Sequence, residues 1–299
     1  MCDIHRGEPK QIQLEDAKKV LTFLAKNKFL VVYFTGGEPT LHPDIVKIVD
    51  YANKLDLVTT MTTNGTVSKE LILALKEAGL YLLSVSLDHW DPKICEKIRN
   101  HKDIMSKQVN TLKYLNEIGM KTYALAFLNS FLIEDGVEHL INYANNVLAV
   151  PFGFCYPTTS RENTYRLGNS LPHNEQQERL RKSVETILTL KKKGREIANL
   201  STYIEDSINL GSPSSPNFYC KGGESVVYID WLGDLYPCFL KGKLFNIFND
   251  GQKDFSKNVN CNDCAINCFR EPSLLPQILS PHLLIKEVYR SYSTRRLFR

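Results

Sequence analysis

No apolar run in the 299 residues approaches the ~20 needed to cross a bilayer. The longest, Phe29 to Phe34 (FLVVYF), falls far short. The N-terminus MCDIHRGEPK lacks the apolar stretch of a secretory signal. These absences set the expectation of a cytoplasmic protein with no membrane span. Charge of one sign is also scarce. Lys and Arg number 37 against 33 Asp and Glu, a net +4. That is too little, at this size, to argue a nucleic-acid partner. Hydrophobic residues at 43% and charged residues at 23% are ordinary globular values. They exclude a disordered, collagenous or coiled-coil chain. The length admits one large domain or two modest ones.

Cysteine is unevenly spread. Cys2, Cys95 and Cys155 are scattered, whereas Cys220, Cys238, Cys261, Cys264 and Cys268 crowd into 49 residues. Without a secretory signal, that density favours metal ligation over disulfides. Cys95 and Cys155 read as packed core thiols.

The first half repeats one unit, a β-rich run followed by an amphipathic helix. The runs are Phe29–Phe34, Leu57–Thr62, Tyr81–Leu87, Lys121–Phe127 and Val150–Tyr156. Ile45, Ile48, Val49 and Ala52 carry helical spacing, as do Leu71, Ala74, Leu75 and Ala78. Ser68 is placed to cap the latter helix and Gly79 to end it. Asp91-Pro92 opens another helix, Val109, Leu112 and Leu115 mark the next, and Asp135–Val147 the last. Parallel neighbours need a crossover, so this alternation predicts a parallel α/β sheet. Near-continuous apolar strands fit a sheet covered on both faces. Helix Leu14–Lys26 precedes the first visible strand and asks for a strand before it. Glu175–Asn199 reads as a further helix, and Gly211–Pro216 as a linker. Ser225–Ile229 and Asp234–Pro237 read as a hairpin about Gly233, bringing Cys220 and Cys238 together.

Three strand ends are polar. In YFTGGEPTLHP, a buried strand runs into Gly36 and Gly37, which let a ligand approach the backbone. Glu38 adds a carboxylate suited to a ligand ammonium. Thr62-Thr63-Asn64-Gly65 closes the second strand, and Ser84-Val-Ser86-Leu-Asp88 the third. In a parallel α/β protein, ligands bind beyond these ends.

TGGEP, then TTNG, then SLD followed by Lys97-Ile-Arg99, each about one βα unit apart, resembles the radical S-adenosylmethionine superfamily over residues 1 to about 156. The resemblance implies that Gly36, Gly37 and Glu38 hold the methionine amino group. It puts Ser86 on the methionine carboxylate or ribose, with Arg99, Asn64 and Asn129 near the same pocket. The family also carries a Cys-x3-Cys-x2-Cys loop whose thiolates hold a [4Fe–4S] cluster. Cys2 fits the third of these. The other two would lie upstream of residue 1, so the expectation is an N-terminally truncated chain. The barrel expected is a partial (β/α)6 barrel missing its first strand.

Cys220-x17-Cys238, with Gly233 five residues before Cys238, precedes Cys261-x2-Cys264-x3-Cys268. Zinc would accept the same thiolates. After a radical-SAM-like barrel, the segment resembles the SPASM/twitch auxiliary iron–sulfur domain. The resemblance implies an auxiliary [4Fe–4S] cluster on Cys220, Cys238, Cys261 and Cys264, with Cys268 spare or standing in for Cys264. The domains expected are an incomplete core over 1–158, a helical linker over 159–216, the cysteine-rich domain over 217–271 and a tail over 272–299. The function implied is 5′-deoxyadenosyl-radical chemistry, with substrate oxidation assisted by the auxiliary cluster. The cofactors are S-adenosylmethionine, one auxiliary [4Fe–4S] cluster, and one barrel cluster if the upstream cysteines are restored. A flavodoxin or ferredoxin would supply electrons. The substrate is a small molecule or a peptide. Two alternatives stay open: an inactive cofactor-binding or regulatory protein, and a zinc-stabilised binding protein.

Overall fold

The structure is a computed structural model, and it describes residues 10–157, 173–209, 218–250 and 261–278. Cys2 and the Gly211–Pro216 linker lie outside the described residues. A five-stranded parallel sheet runs in the order β1-β2-β3-β4-β5. Its strands are β1 (Val31–Phe34), β2 (Val58–Thr63), β3 (Leu82–Ser86), β4 (Ala124–Phe127) and β5 (Phe152–Cys155). Each neighbouring pair is parallel, with Phe34 opposite Met61, Thr63 opposite Val85, and Phe127 opposite Cys155. The carboxyl ends therefore share one rim. This is the partial α/β barrel that the repeat predicted.

Crossover helices follow the expected order: α1 (Leu14–Lys26), α2 (Ile45–Lys54), α3 (Lys69–Glu77), α4 (Pro92–Arg99), α5 (Ile104–Glu117) and α6 (Val137–Asn142). Local chemistry sets their ends. Ser68 Oγ accepts from Leu71 N at 3.2 Å, satisfying one orphan donor of α3. Asp91 does the same for α4, where Pro92 takes the first helical position. Single π turns flank α6, at Leu132–Gly136 and Tyr143–Val147. They explain its weak periodicity in sequence.

Outward residues of the strands, such as Met61, Leu83, Val85, Phe152 and Phe154, meet the helices in one large core. The stretch read as a helical linker is part of that core. In α7 (His173–Lys192), Leu180, Val184 and Ile187 are buried, as are Tyr203 and Ile204 of α8 (Ser201–Asn209). Ile197 bridges in parallel to Phe152 and covers the outer edge of β5. The apolar positions of α7 are masked in sequence by its abundant Lys, Arg and Glu.

The C-terminal lobe is thinner. An antiparallel sheet joins β6 (Tyr228–Ile229), β7 (Asp234–Tyr236) and β8 (Phe245–Asn246), and α9 (Asn267–Ile278) follows. Gly233 makes the hairpin turn at φ +77°, with the Phe248 ring packed where a side chain would stand. Phe245 meets Phe23 of α1 edge-on at 6.1 Å, and Leu24 and Leu235 complete that seat. Two expectations are corrected. The first arm of the hairpin is shorter, because residues 221–226 form a turn closed by Ser225 N on Lys221 O. The strand partner of Cys220 is Cys261, not Cys238. In addition, α9 crosses the expected boundary at residue 271, since its helical hydrogen bonds continue to Ile278. Among the described residues, no helix is long and apolar enough to cross a membrane.

Candidate cofactor site at the barrel rim and a grouped set of thiols

Past β1 the chain turns outward at Gly36 (φ +142°), a conformation that favours glycine. A Cβ at Gly36 or Gly37 would meet nothing within 4 Å, so this loop leaves open space. Glu38 follows, half-buried, and ties two loops together. Its Oε1 accepts from Thr40 Oγ1 at 2.6 Å and from Thr63 Oγ1 at 2.9 Å. Its Oε2 accepts from Asn64 N at 2.6 Å and keeps acceptor capacity. Hydrogen bonds to a carboxylate are the stronger kind, so both loops are held in register before any ligand arrives.

The third strand end is fixed by a buried charge. Asp88 is 1% exposed and takes a bidentate pair from Arg99, through Nε and through Nη2 at 3.1 Å. Arg99 also lies in the field of Glu38. The expected ligand contact of Arg99 is thus shared with a structural duty. Asn64 Oδ1 closes its own turn on Thr66 N at 2.8 Å. Ser86 ends β3 half-buried, on the lumen side beside Ser84. Asn129 is different from expectation. Its amide donates to Asp88 O and Phe127 O and accepts from Phe131 N and Leu132 N. Burial and a full set of backbone bonds leave it no capacity for adenosine.

Below the rim, a row of hydroxyls crosses the lumen wall. Tyr33 Oη is 2.7 Å from Thr62 Oγ1, which is 2.5 Å from Ser84 Oγ. Tyr123 lies beside Ser84 in turn, and burial pushes the Tyr123 and Cys155 acids upward. Lumen-facing alternation on the strands was the available signal for this row. Pairing across 22 to 29 residues was not.

The second group lies in the C-terminal lobe. Cys220, Cys238, Cys261, Cys264 and Cys268 border one apolar cluster with Phe239, Ile266 and Phe269. Cys238 Sγ accepts from Leu240 N at 3.4 Å, and the backbone at Gly222, Asp263 and Ile266 favours the thiolates of Cys220, Cys261 and Cys264 electrostatically. Such an N–H favours the thiolate over the thiol. The Cys261 thiol is pulled down because Cys220 hydrogen-bonds it, while Cys220 is driven up by the same bond and by burial. Cys268 differs. Its thiol lies 3.9 Å from Asn267 Oδ1, burial and Glu271 push it up to about 12, and it acts on Cys155 and Tyr33 inside the barrel. Four thiols with thiolate-stabilising amides in one apolar pocket fit an iron–sulfur cluster by donor type and setting. Among the described residues, no three His, Cys, Asp or Glu side chains converge on a point for one metal ion.

Residues 1–144 match the family model of the Radical SAM superfamily. A radical SAM domain is found over those residues, just under half of the chain. Among curated relatives, it is 26% identical over 254 residues to GTP 3′,8-cyclase of Aquifex aeolicus, covering 83% of this chain and 77% of that protein. It is 27% identical over 140 residues to PqqA peptide cyclase of Rhodopseudomonas palustris (46% and 37%). To a probable GTP 3′,8-cyclase of Sulfolobus acidocaldarius it is 32% identical over 116 residues (38% and 37%). The chain thus spans about a third of the length of the latter two. Its fold is similar to that of Streptococcus suis SuiB bound to S-adenosylmethionine, with TM-score 0.65, 20% identity, 83% of this chain and 60% of that one. A second likeness is to anSMEcpe with bound AdoMet, with TM-score 0.60, 17% identity, 83% of this chain and 72% of that one.

Proposed function

We propose that this radical SAM chain binds S-adenosylmethionine at the rim formed by Gly36, Gly37, Glu38, Asn64, Ser86 and Arg99. We read the C-terminal thiols Cys220, Cys238, Cys261 and Cys264 as the holders of an auxiliary iron–sulfur cluster. The observation that carries the reading is Glu38, whose carboxylate is pre-aimed by two loops beside an open glycine pair at the carboxyl ends of parallel strands. The free capacity of Oε2 suits the methionine ammonium, and the Gly36 and Gly37 amides suit nearby acceptors. Held by Gly36, Gly37 and Glu38 beside a reduced cluster, S-adenosylmethionine would supply radical hydrogen-abstraction chemistry. The chain's own residues orient the reactants and exclude water. The hydroxyl row from Tyr33 to Tyr123 gives the substrate a neutral, hydrogen-bonding wall.

Support for the cluster assignment comes from the grouping of these thiols around one apolar cluster and from the backbone two residues on, which favours the thiolate at each of the four. On this reading Cys268 is a lumen residue. Four protein thiolates leave no open iron, which favours an electron-accepting role and hence substrate oxidation. PqqA peptide cyclase and the SuiB structure bound to precursor peptide SuiA support a peptide substrate, while the GTP 3′,8-cyclases support a nucleotide. We read the division of labour as a barrel core extended by α7 and α8, with the cysteine lobe and α9 docked on it. The electron donor is a flavodoxin or ferredoxin, and the site of action is cytoplasmic.

The barrel cluster calls for three thiolates, of which Cys2 would be one. The test compares 5′-deoxyadenosine formation under dithionite in this chain and in the same chain given Cys-x3-Cys ahead of Cys2. Turnover that appears in the second and disappears on Cys2→Ala supports the reading. Equal output from all three contradicts it.

A further inference from the structure

We propose that Arg270 is the residue that tunes the reduction potential of the cysteine-bound centre, while clamping two of the three segments that carry its ligands. The inference rests on the cluster reading above. Arg270, on α9, is among the largest fully buried side chains, at 1% exposure. Its guanidinium is used on three sides. Nε and Nη2 form a fork with Asp206 of α8, the latter at 2.8 Å. Nη1 donates to Asn262 Oδ1 at 2.8 Å, between Cys261 and Cys264. Nη2 also donates to Phe218 O at 3.2 Å, two residues before Cys220. One side chain therefore holds the Cys220 and the Cys261–Cys264 segments against the barrel-packed helix α8.

The burial asks for a reason. A buried ion pair is weak evidence for stability, because apolar residues of similar volume often do as well. Arg is always charged and its rigid fork suits this triple contact. Its charge is also directed. Arg270 interacts electrostatically with Cys220 and Cys264. Asp206, the other half of the pair, is fully buried. Reduction adds one electron, and no proton, to a centre already surrounded by thiolates. A fixed cation beside it favours the reduced state, since net charge and hydrogen bonding set such potentials.

The experiment uses the full chain, reconstituted anaerobically with iron and sulfide, and titrated with dithionite while visible absorbance and low-temperature paramagnetic resonance are recorded. The double variant Asp206→Asn/Arg270→Gln keeps volume and hydrogen bonding but removes both charges. It is expected to show about a tenfold lower reduced-to-oxidised ratio at fixed ambient potential, which is 59 mV for one electron. Asp206→Asn alone leaves the cation uncompensated and shifts the ratio upward. This opposite sign decides the matter if the double variant folds poorly by circular dichroism. Arg270→Lys keeps the charge but loses the fork. It holds the wild-type ratio within about threefold while iron release to a chelator speeds up. Superimposable titrations of wild type and all three variants would overturn the tuning role, as would a shift of the same sign in both Asp206 variants. Wild-type chain that takes up no iron and sulfide overturns the cluster reading itself, which separates that failure from this one.

Discussion

The barrel rim and the cysteine lobe are organised by different physics. At the rim, loops stand on a sheet whose strands share a large core, and hydrogen bonds to Glu38 and Asp88 fix them without a ligand. In the lobe, strands are two or three residues long, and the thiols are grouped around a small apolar cluster. So little regular structure buries little area, and small cores commonly need a metal or cross-links. On the function proposed above, the rim receives a ligand in a ready frame, whereas the lobe is completed by its own.

The largest effect that would sharpen this contrast is loss of a ligand thiol. Cys261→Ala is expected to abolish iron and sulfide uptake and to collapse hydrogen-exchange protection across 218–246. Protection in β2, β3 and β4 should stay at wild-type level, because metal binding free energy is folding free energy only for the lobe. Equal loss in both regions would break the comparison.

Next in size is Gly65→Ala. Gly65 has φ +87°, and a Cβ there would lie 2.8 Å from the Gln108 backbone. Strain and overpacking together should lower barrel stability by about 2–4 kcal/mol. Chemical denaturation monitored by circular dichroism checks it, and an unchanged midpoint would show that the rim has slack. Glu38→Gln comes third. Loss of a charge-assisted hydrogen bond should weaken S-adenosylmethionine binding by about 1.5–3 kcal/mol in a calorimetric titration, with the melting temperature little changed.

The smallest effect concerns Cys95, whose buried thiol is hydrogen-bonded to His89 O at 3.0 Å. Burial, with Asp88 nearby, raises its pKa from 9.0 to about 12. A raised folded value contributes stability that is complete below the unfolded pKa and is lost as pH climbs toward the folded one. Between pH 9 and 11 the barrel should therefore lose up to about 1.4 kcal/mol per pH unit, and Cys95→Ala should flatten that slope.

Legibility followed the range of the forces. The strands, the Ser68 and Asp91 caps and helix Leu14–Lys26 were readable because period, capping and turn chemistry act within a few residues. The open glycine turn at Gly36 and Gly37, past the end of β1, was readable for the same reason. The tie from Glu38 to Thr63 and Asn64 was not, since it joins residues 25 and 26 apart. Arg270 carried no signal of its own in the sequence, because Asp206 lies 64 residues away. Spacing alone left Cys264 and Cys268 interchangeable. They part company in three dimensions, where one lies by the Ile266 backbone and the other faces the barrel.

Hydrogen exchange of the anaerobically reconstituted chain, with and without S-adenosylmethionine, tests the two-site account most directly. The account expects new protection at 36–38, 63–65 and 86–88 and none across 218–246 or 261–268. Protection confined to the cysteine lobe, or absent from all three strand ends, would contradict it.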